Sequence, residues 1–220
     1  MASRICKECF PDRGWIVLSN INNIIAKYPS VLAGGTALAL RLGHRISNDL
    51  DFFMKDVFST ESLIASIRKT GLSFNIFAES EGTLVLSIEG LKVSFFSYEY
   101  GFIEKPLGYE GLKIAGILDI ASMKVIAILQ RGSKRDFIDL FVILQRIPFQ
   151  LIAEHMIKRF GKESINPLQI GKSLVYFRDA DLEPEPIYPK GREIQWDAVK
   201  GFFRSHIRQL VFDLDAAMKD

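Results

Sequence analysis

Apolar residues recur along this chain with two different periods, and the period changes near residue 116. In the first half, short helical stretches alternate with strand-like runs. Trp15 to Tyr28 places Ile16, Val17, Ile21, Ile24 and Ile25 at helical spacing and predicts an amphipathic helix. Val31–Ala33 is a short buried strand, Thr36–Leu42 a helix with a glycine pair at its start, and Asp49–Met54 a second strand. A helix begins near Ser59, with Ser62 close behind, and ends at Gly71. Phe74–Ala78, Thr83–Ile88 and Val93–Tyr98 follow, separated by Glu81-Gly82 and Glu89-Gly90; such turns favour antiparallel hairpins. Leu112–Ala115 reads as one more strand.

After Gly116 the pattern is helical throughout. Leu118–Gln130 carries Asp119 in its first turn and is broken by Gly132. Lys134–Arg146 is stopped by Pro148, and Phe149–Phe160 and Pro167–Phe177 give two more helices. Leu182–Arg192 is a proline-rich surface connection, and Trp196–Met218 a long final helix. Residues 1–14 read as a loose lead-in. The expected fold class is α+β: a small mixed twisted sheet with flanking helices over residues 15–116, then a helical region over residues 117–220. A cleft between such halves is a usual place for a small-molecule site.

Composition narrows the function classes. Of 220 residues, 48% are hydrophobic and 25% charged, the profile of an ordinary globular protein with a substantial core. The net charge of +2 offers no global attraction for nucleic acid. Local basic patches remain, at Lys158–Arg159 with Lys162 and at Arg204, His206 and Arg208, although such charges are usually solvated surface. No apolar run approaches the roughly 20 residues of a membrane span, and no secretory h-region opens the chain. Two cysteines exclude a disulfide framework, so the expected location is cytoplasmic, without membrane association. Cys6 and Cys9 form a C-x-x-C with no second cysteine pair, and read as ordinary thiols rather than a zinc site.

Candidate chemistry concentrates in VLAGGTALALRLGHRISNDLDFF, residues 31–53. Asp49 and Asp51 lie two apart on a predicted strand and so point to one face. Leu50, Phe52 and Phe53 surround Asp51, and a carboxylate in so apolar a strand needs a cation or a hydrogen-bond partner. Carboxylates bind Mg²⁺ and a helix N-terminus binds phosphate. Gly34 and Gly35 lack the Cβ atoms that would keep a phosphate from the backbone, and Thr36 either caps the helix or offers its hydroxyl. Between turn and acids lie Arg41, His44, Arg45 and Ser47. Arg45 is placed to neutralise the acids or hold a phosphate. The helical half supplies Lys124 in an otherwise apolar helix, and Asp136 and Asp139 as i,i+3 neighbours. Asp136 also suits the first turn of a helix, and Asp139 also suits a structural ion pair.

These clusters together resemble the nucleotidyltransferases of the AbiEii toxin group, within the DNA polymerase β-like superfamily. The matching stretches are GGTALALRLGHRISNDLDFF (34–53), ASMKVIAI (121–128) and RGSKRDFIDLFVIL (131–144), with weaker likeness at Phe177–Ala180 and Trp196–Phe203. The resemblance implies a nucleotidyltransferase core followed by a helical domain completing the nucleotide cleft. It implies transfer of a nucleoside monophosphate from an NTP to an acceptor hydroxyl, with Mg²⁺ (or Mn²⁺) on Asp49 and Asp51. Gly34, Gly35 and Thr36, with Arg45 and Ser47, would bind the nucleotide. Lys124 would contact phosphate, and Asp136 or Asp139 would complete the catalytic set. It also implies a cognate antitoxin, and some relatives act on tRNA. Enzymes of the superfamily often carry a third metal-binding acid on a neighbouring strand, where this chain has Ser94 in LKVSFFSY. A nucleotide-binding or protein-interaction module with the same fold and little or no turnover is the alternative reading.

Overall fold

Seven strands and nine helices form in the computed structural model, which describes residues 5–219. The first half builds a mixed sheet. Helix α1 (Asp12–Ile25) leads into β1 (Ser30–Ala33), α2 (Gly34–Leu42) and β2 (Leu50–Met54). Helix α3 (Thr60–Arg68) is capped by Ser59, whose hydroxyl accepts from the Ser62 N–H. Strands β3 (Phe74–Ser80), β4 (Thr83–Ile88) and β5 (Leu91–Ser97) are the expected hairpins; β6 (Leu107–Tyr109) and β7 (Leu112–Ile114) make a further small one.

The sheet order is β3-β4-β5-β2-β1-β7-β6. Strands β1 and β2 are antiparallel, whereas β2 runs parallel to β5 and β1 parallel to β7. The register divides the faces cleanly. Leu32, Phe52, Phe95 and Leu84 form one cross-sheet row and are all at most 2% exposed. On that face the Phe52 and Phe95 rings stack at 5.4 Å, and full burial of each such side chain is worth about 2–3 kcal/mol. The next row, on the opposite face, is Ala33, Asp51, Ser94 and Val85. The period-2 alternation of β2 thus buries Leu50, Phe52 and Met54 and leaves Asp51 and Phe53 half-buried on the other side.

From residue 5 onward the N-terminal segment is not a loose lead-in; residues 1–4 of that expectation lie outside the described residues. Ile5, Cys9 and Phe10 are buried, the Cys6 N–H donates to the Leu40 carbonyl at 2.7 Å, and the Ser47 N–H donates to the Cys9 carbonyl at 2.9 Å. A polar-looking stretch of sequence is thereby tied to α2 and the loop after it, while the Phe10 ring packs edge-on against Trp15 of α1 at 5.3 Å. No disulfide joins Cys6 and Cys9.

The second half is all helical: α4 (Ile117–Arg131), α5 (Lys134–Leu144), α6 (Phe149–Phe160), α7 (Pro167–Leu174), α8 (Arg178–Leu182) and α9 (Trp196–Ala217). Helix α7 ends three residues earlier than expected, and the short α8 follows it. The core gathers Phe137, with ring centroids 5.1 Å from Phe177, 5.9 Å from Trp196 and 5.5 Å from Phe203. The long α9 packs on α5, α6 and α7. The chain divides into two compact units, one ending at Gly116 and the other beginning at Ile117. Among the described residues, no helix is long and apolar enough to cross a membrane.

Candidate active site

Strand β1 ends at Ala33 and α2 begins at the next residue, so the turn between them consists of the glycines themselves. Ala33 occupies the N-cap position in an extended conformation, and its methyl side chain cannot cap the helix. Gly34 has φ +73°, in the left-handed region that only glycine enters cheaply. A Cβ at Gly34 would lie 2.9 Å from Asp51 Oδ2, so the bare backbone comes up against that carboxylate. A Cβ at Gly35 would collide with Nη2 of Arg45 and lie 3.3 Å from Ser47 Oγ. Absent side chains thus let one turn receive the acid from β2 and the guanidinium from the loop.

Thr36 is buried, and its hydroxyl is engaged within the unit. It is hydrogen-bonded to the Ser47 hydroxyl at 2.9 Å and to the Asp49 carbonyl. A hydroxyl carries one proton, so Thr36 donates to the carbonyl, which can only accept, and accepts from Ser47. The pair ties the first turn of α2 to the residues on either side of Asn48. What this turn presents outward is therefore its backbone. Arg45 is 3% exposed and donates from Nη1 to the Ile46 carbonyl at 3.2 Å. His44 is also buried. Arg41 donates to the Ala115 carbonyl at 3.2 Å, which fastens α2 to the end of β7; burial pulls its pKa below the usual value, against the opposing field of Glu104.

Asp49 precedes β2, and Asp51 is its second residue; both are half-buried. Asp51 pairs in register with Ala33 of β1 and Ser94 of β5. Among the described residues, no three or more His, Cys, Asp or Glu side chains converge as a metal cage. That donor set fits Mg²⁺, which commonly takes one or two carboxylates and completes its shell with water and phosphate oxygens. Two observations support the fit. The missing Cβ of Gly34 lets the Asp51 carboxylate lie against the bare backbone of the turn, and the Ser94 hydroxyl alongside Asp51 is 1% exposed with no hydrogen-bond partner.

The helical unit holds a cluster of its own. Lys124 Nζ lies 2.8 Å from Asp136 Oδ1 and 2.6 Å from Asp139 Oδ2. Arg131 adds Nε at 2.7 Å from Asp136 Oδ2 and Nη2 at 3.1 Å from Oδ1. Burial alone would raise the Asp136 pKa; the charges and hydrogen bonds of Lys124 and Arg131 outweigh it and hold the carboxyl below its usual value. Lys124 therefore does not snorkel out of its apolar helix. It is drawn inward by two acids from α5.

Sequence reasoning missed a third group. Asp119, fully buried, meets His155 Nε2 at 3.0 Å, and Arg159 Nη1 donates to its carbonyl at 2.8 Å. Arg159 thus joins α4 to α6 and is not part of a surface basic patch; Lys158, Lys162, Arg204, His206 and Arg208 are exposed. The available signal was the i,i+4 spacing of His155 and Arg159 on a helix face.

The chain is similar to known proteins over nearly its full length. The profile of the family described as "Nucleotidyl transferase AbiEii toxin, Type IV TA system" matches residues 17–217. An uncharacterized protein of Aquifex aeolicus (strain VF5) is 38% identical over 182 residues, covering 81% of this chain and 86% of that protein. MenT4, a nucleotidyltransferase toxin of Mycobacterium tuberculosis H37Rv, has a similar fold: TM-score 0.61 at 16% identity, covering 94% of this chain and 86% of MenT4. JHP933 of Helicobacter pylori gives a TM-score of 0.56 at 18% identity, covering 94% and 95%.

Proposed function

Since the chain belongs to the AbiEii nucleotidyl transferase toxin family, we propose that it transfers a nucleoside monophosphate from a Mg²⁺-bound NTP to an acceptor hydroxyl. The single observation that carries this reading is the meeting of the Gly34 backbone with the Asp51 carboxylate at the N-terminus of α2. Phosphates would lie over Gly34 and Gly35, held by N–H groups and by the positive end of the helix. Thr36 and Ser47 hold that turn against Asp49 by their mutual hydrogen bond. Asp49 and Asp51 would ligate the ion, with Mn²⁺ as a substitute. When bound, Mg²⁺ supplies charge stabilisation on the phosphate oxygens and on the leaving pyrophosphate. The acceptor oxygen forms its bond to the α-phosphorus as the bond to the β-phosphate oxygen breaks. Arg45 offsets the negative charge that accumulates.

From the helical unit, the residues of this proposal are Lys124, for phosphate contact, and Asp136 or Asp139, for the catalytic set. Their ion pairs of 2.6–2.8 Å mean that these side chains reach a nucleotide only by exchanging partners. Residues 15–116 would then be the catalytic core, and residues 117–220 the helical domain contributing to nucleotide binding. The acceptor we propose is tRNA or another nucleic acid, the setting the cytoplasm, and the protein partner an antitoxin.

Calorimetry with Mg·NTP tests the binding step. Micromolar-to-millimolar binding is expected in the wild type and is lost in Asp49→Ala/Asp51→Ala; unchanged binding in the double variant would sink the assignment. Incubation with labelled NTPs and total RNA tests turnover. Label retained on RNA supports transfer to nucleic acid, and nucleotide binding without label on any acceptor refutes it.

A further inference from the structure

Strands β2 and β5 carry two pairs of phenylalanines, and the sheet treats the pairs differently. Phe52 and Phe95 stack on the core face and are at most 2% exposed. Phe53 and Phe96 point to the opposite face, the one that carries Asp51, and stay half-buried although they are just as apolar. They belong to the row Val31, Phe53, Phe96 and Thr83, which neighbours the row of Asp51 on that face. The Phe53 and Phe96 ring centroids are 5.4 Å apart. Tyr98, whose N–H donates to the Met54 carbonyl at 2.7 Å, brings its ring to 5.3 Å from Phe53, and the Phe102 ring comes to 6.3 Å. All four are half-buried, so an aromatic patch reaches the surface beside Asp51. The patch and the glycine turn lie on opposite sides of that acid. Asp51 is abreast of Ala33, the residue before the turn, and Phe53 is abreast of Val31, two residues further from it. A strand rises about 3.3 Å per residue, which sets Phe53 about 7 Å beyond Asp51.

That order has a chemical consequence when the β- and γ-phosphates lie over Gly34 and Gly35. In-line displacement brings the acceptor oxygen to the α-phosphorus from the side opposite the departing pyrophosphate. The acceptor therefore approaches from the side of Asp51 on which the aromatic rings lie. We infer that Phe53, Phe96 and Tyr98 form a stacking platform for the terminal base of the acceptor, which is the end of a single-stranded nucleic acid. Every base presents a π face, so stacking on aromatic side chains holds an unpaired base whatever its identity. A base gripped by its face leaves the adjoining ribose hydroxyl to be aimed at the α-phosphate, and such positioning is a large part of what catalysis of this kind requires. The inference rests on the assignment of the glycine turn and Asp51 to the nucleotide, and it names the acceptor side of the same site.

Fluorescence anisotropy of the full chain in Mg²⁺ tests this with two probes. One is a short single-stranded RNA labelled at the end away from the reacting hydroxyl, and the other lacks only the base of its terminal nucleotide. The wild type should bind the intact RNA about tenfold more tightly, the scale of one stacked base. Phe53→Leu and Phe96→Leu keep apolar bulk and lose the aromatic face. Each should bring the two probes towards equal affinity while calorimetric binding of Mg·NTP is unchanged. Phe53→Trp should keep the preference, which a purely structural role for the ring does not explain. Equal binding of the two probes by the wild type, or binding of neither, overturns the inference without recourse to any variant. An unchanged preference in both leucine variants does the same. Weakened Mg·NTP binding in those variants, with the probe preference intact, gives the platform to the base of the incoming nucleotide and overturns its assignment to the acceptor. Mg·NTP binding that survives Asp49→Ala/Asp51→Ala removes the premise itself, whereas failure of the probe comparison alone leaves that premise standing.

Discussion

Gly34 has to satisfy two demands that no other residue meets together. Its φ of +73° costs an L-residue about 1–2 kcal/mol, and its missing side chain leaves the room that Asp51 Oδ2 occupies. Gly34→Ala should therefore destabilise the protein by at least about 1 kcal/mol in urea denaturation. It should also weaken Mn²⁺ binding, because the carboxylate must shift; loss of stability with unchanged metal affinity would separate the backbone effect from the site. Asp136 carries a pH dependence. Its folded pKa lies below the ordinary 3.8, so the unfolded chain takes up its proton first as pH falls. The resulting stabilisation is complete above about pH 4–5 and is lost as pH drops through the depressed folded value. Urea denaturation from about pH 6 to about pH 2 should show wild type and Asp136→Asn converging at the acid end. A constant gap across the range would mean that the carboxylate's charge does not matter.

At the scale of elements, strand and helix identities followed from periodicity where one period ran undisturbed. Strands β3, β4 and β5 and helices α3, α4, α5, α6 and α9 are of this kind. Errors fell where a boundary depended on a distant partner. The segment before α1 folds because the Cys6 N–H and the Cys9 carbonyl find Leu40 and Ser47, which lie more than about 30 residues further along the chain. Strand β6 has three residues, and its pairing with β7 is what makes it a strand. Helix α5 has Ser133 at its N-cap, yet that side chain does not cap it. Glu183, from the proline-rich connection, does so instead: it accepts from the Lys134 N–H at 2.9 Å and from the Ser133 hydroxyl at 2.8 Å. Lys134 Nζ in turn donates to the Glu183 carbonyl at 2.6 Å and lies 2.9 Å from Glu185 Oε1. The expected cost of Glu183→Ala is about 1 kcal/mol, read in chemical denaturation; no change would mean that solvent replaces the cap.

Taken whole, the chain writes its two halves into its sequence and its connections into its fold. The change of hydrophobic period, the Gly-Gly-Thr turn and the i,i+2 spacing of Asp49 and Asp51 were all legible, because each depends on residues close in sequence and on the fixed geometry of strand and helix. Residues 34–53 alone bring the Gly34-Gly35 turn together with the Asp51 carboxylate. Tertiary structure decided how those side chains are used. It committed the Thr36 hydroxyl inward to Asp49 and Ser47, turned Arg41 into a strut for Ala115 and Arg159 into a buried partner of Asp119, and drew Lys124 onto Asp136 and Asp139. It also set Ser94 beside Asp51 with its hydroxyl unpaired. None of this follows from local spacing. Strand order, register and helix packing bring distant residues together, and a buried polar atom's role depends on which partner lies within about 3 Å of it.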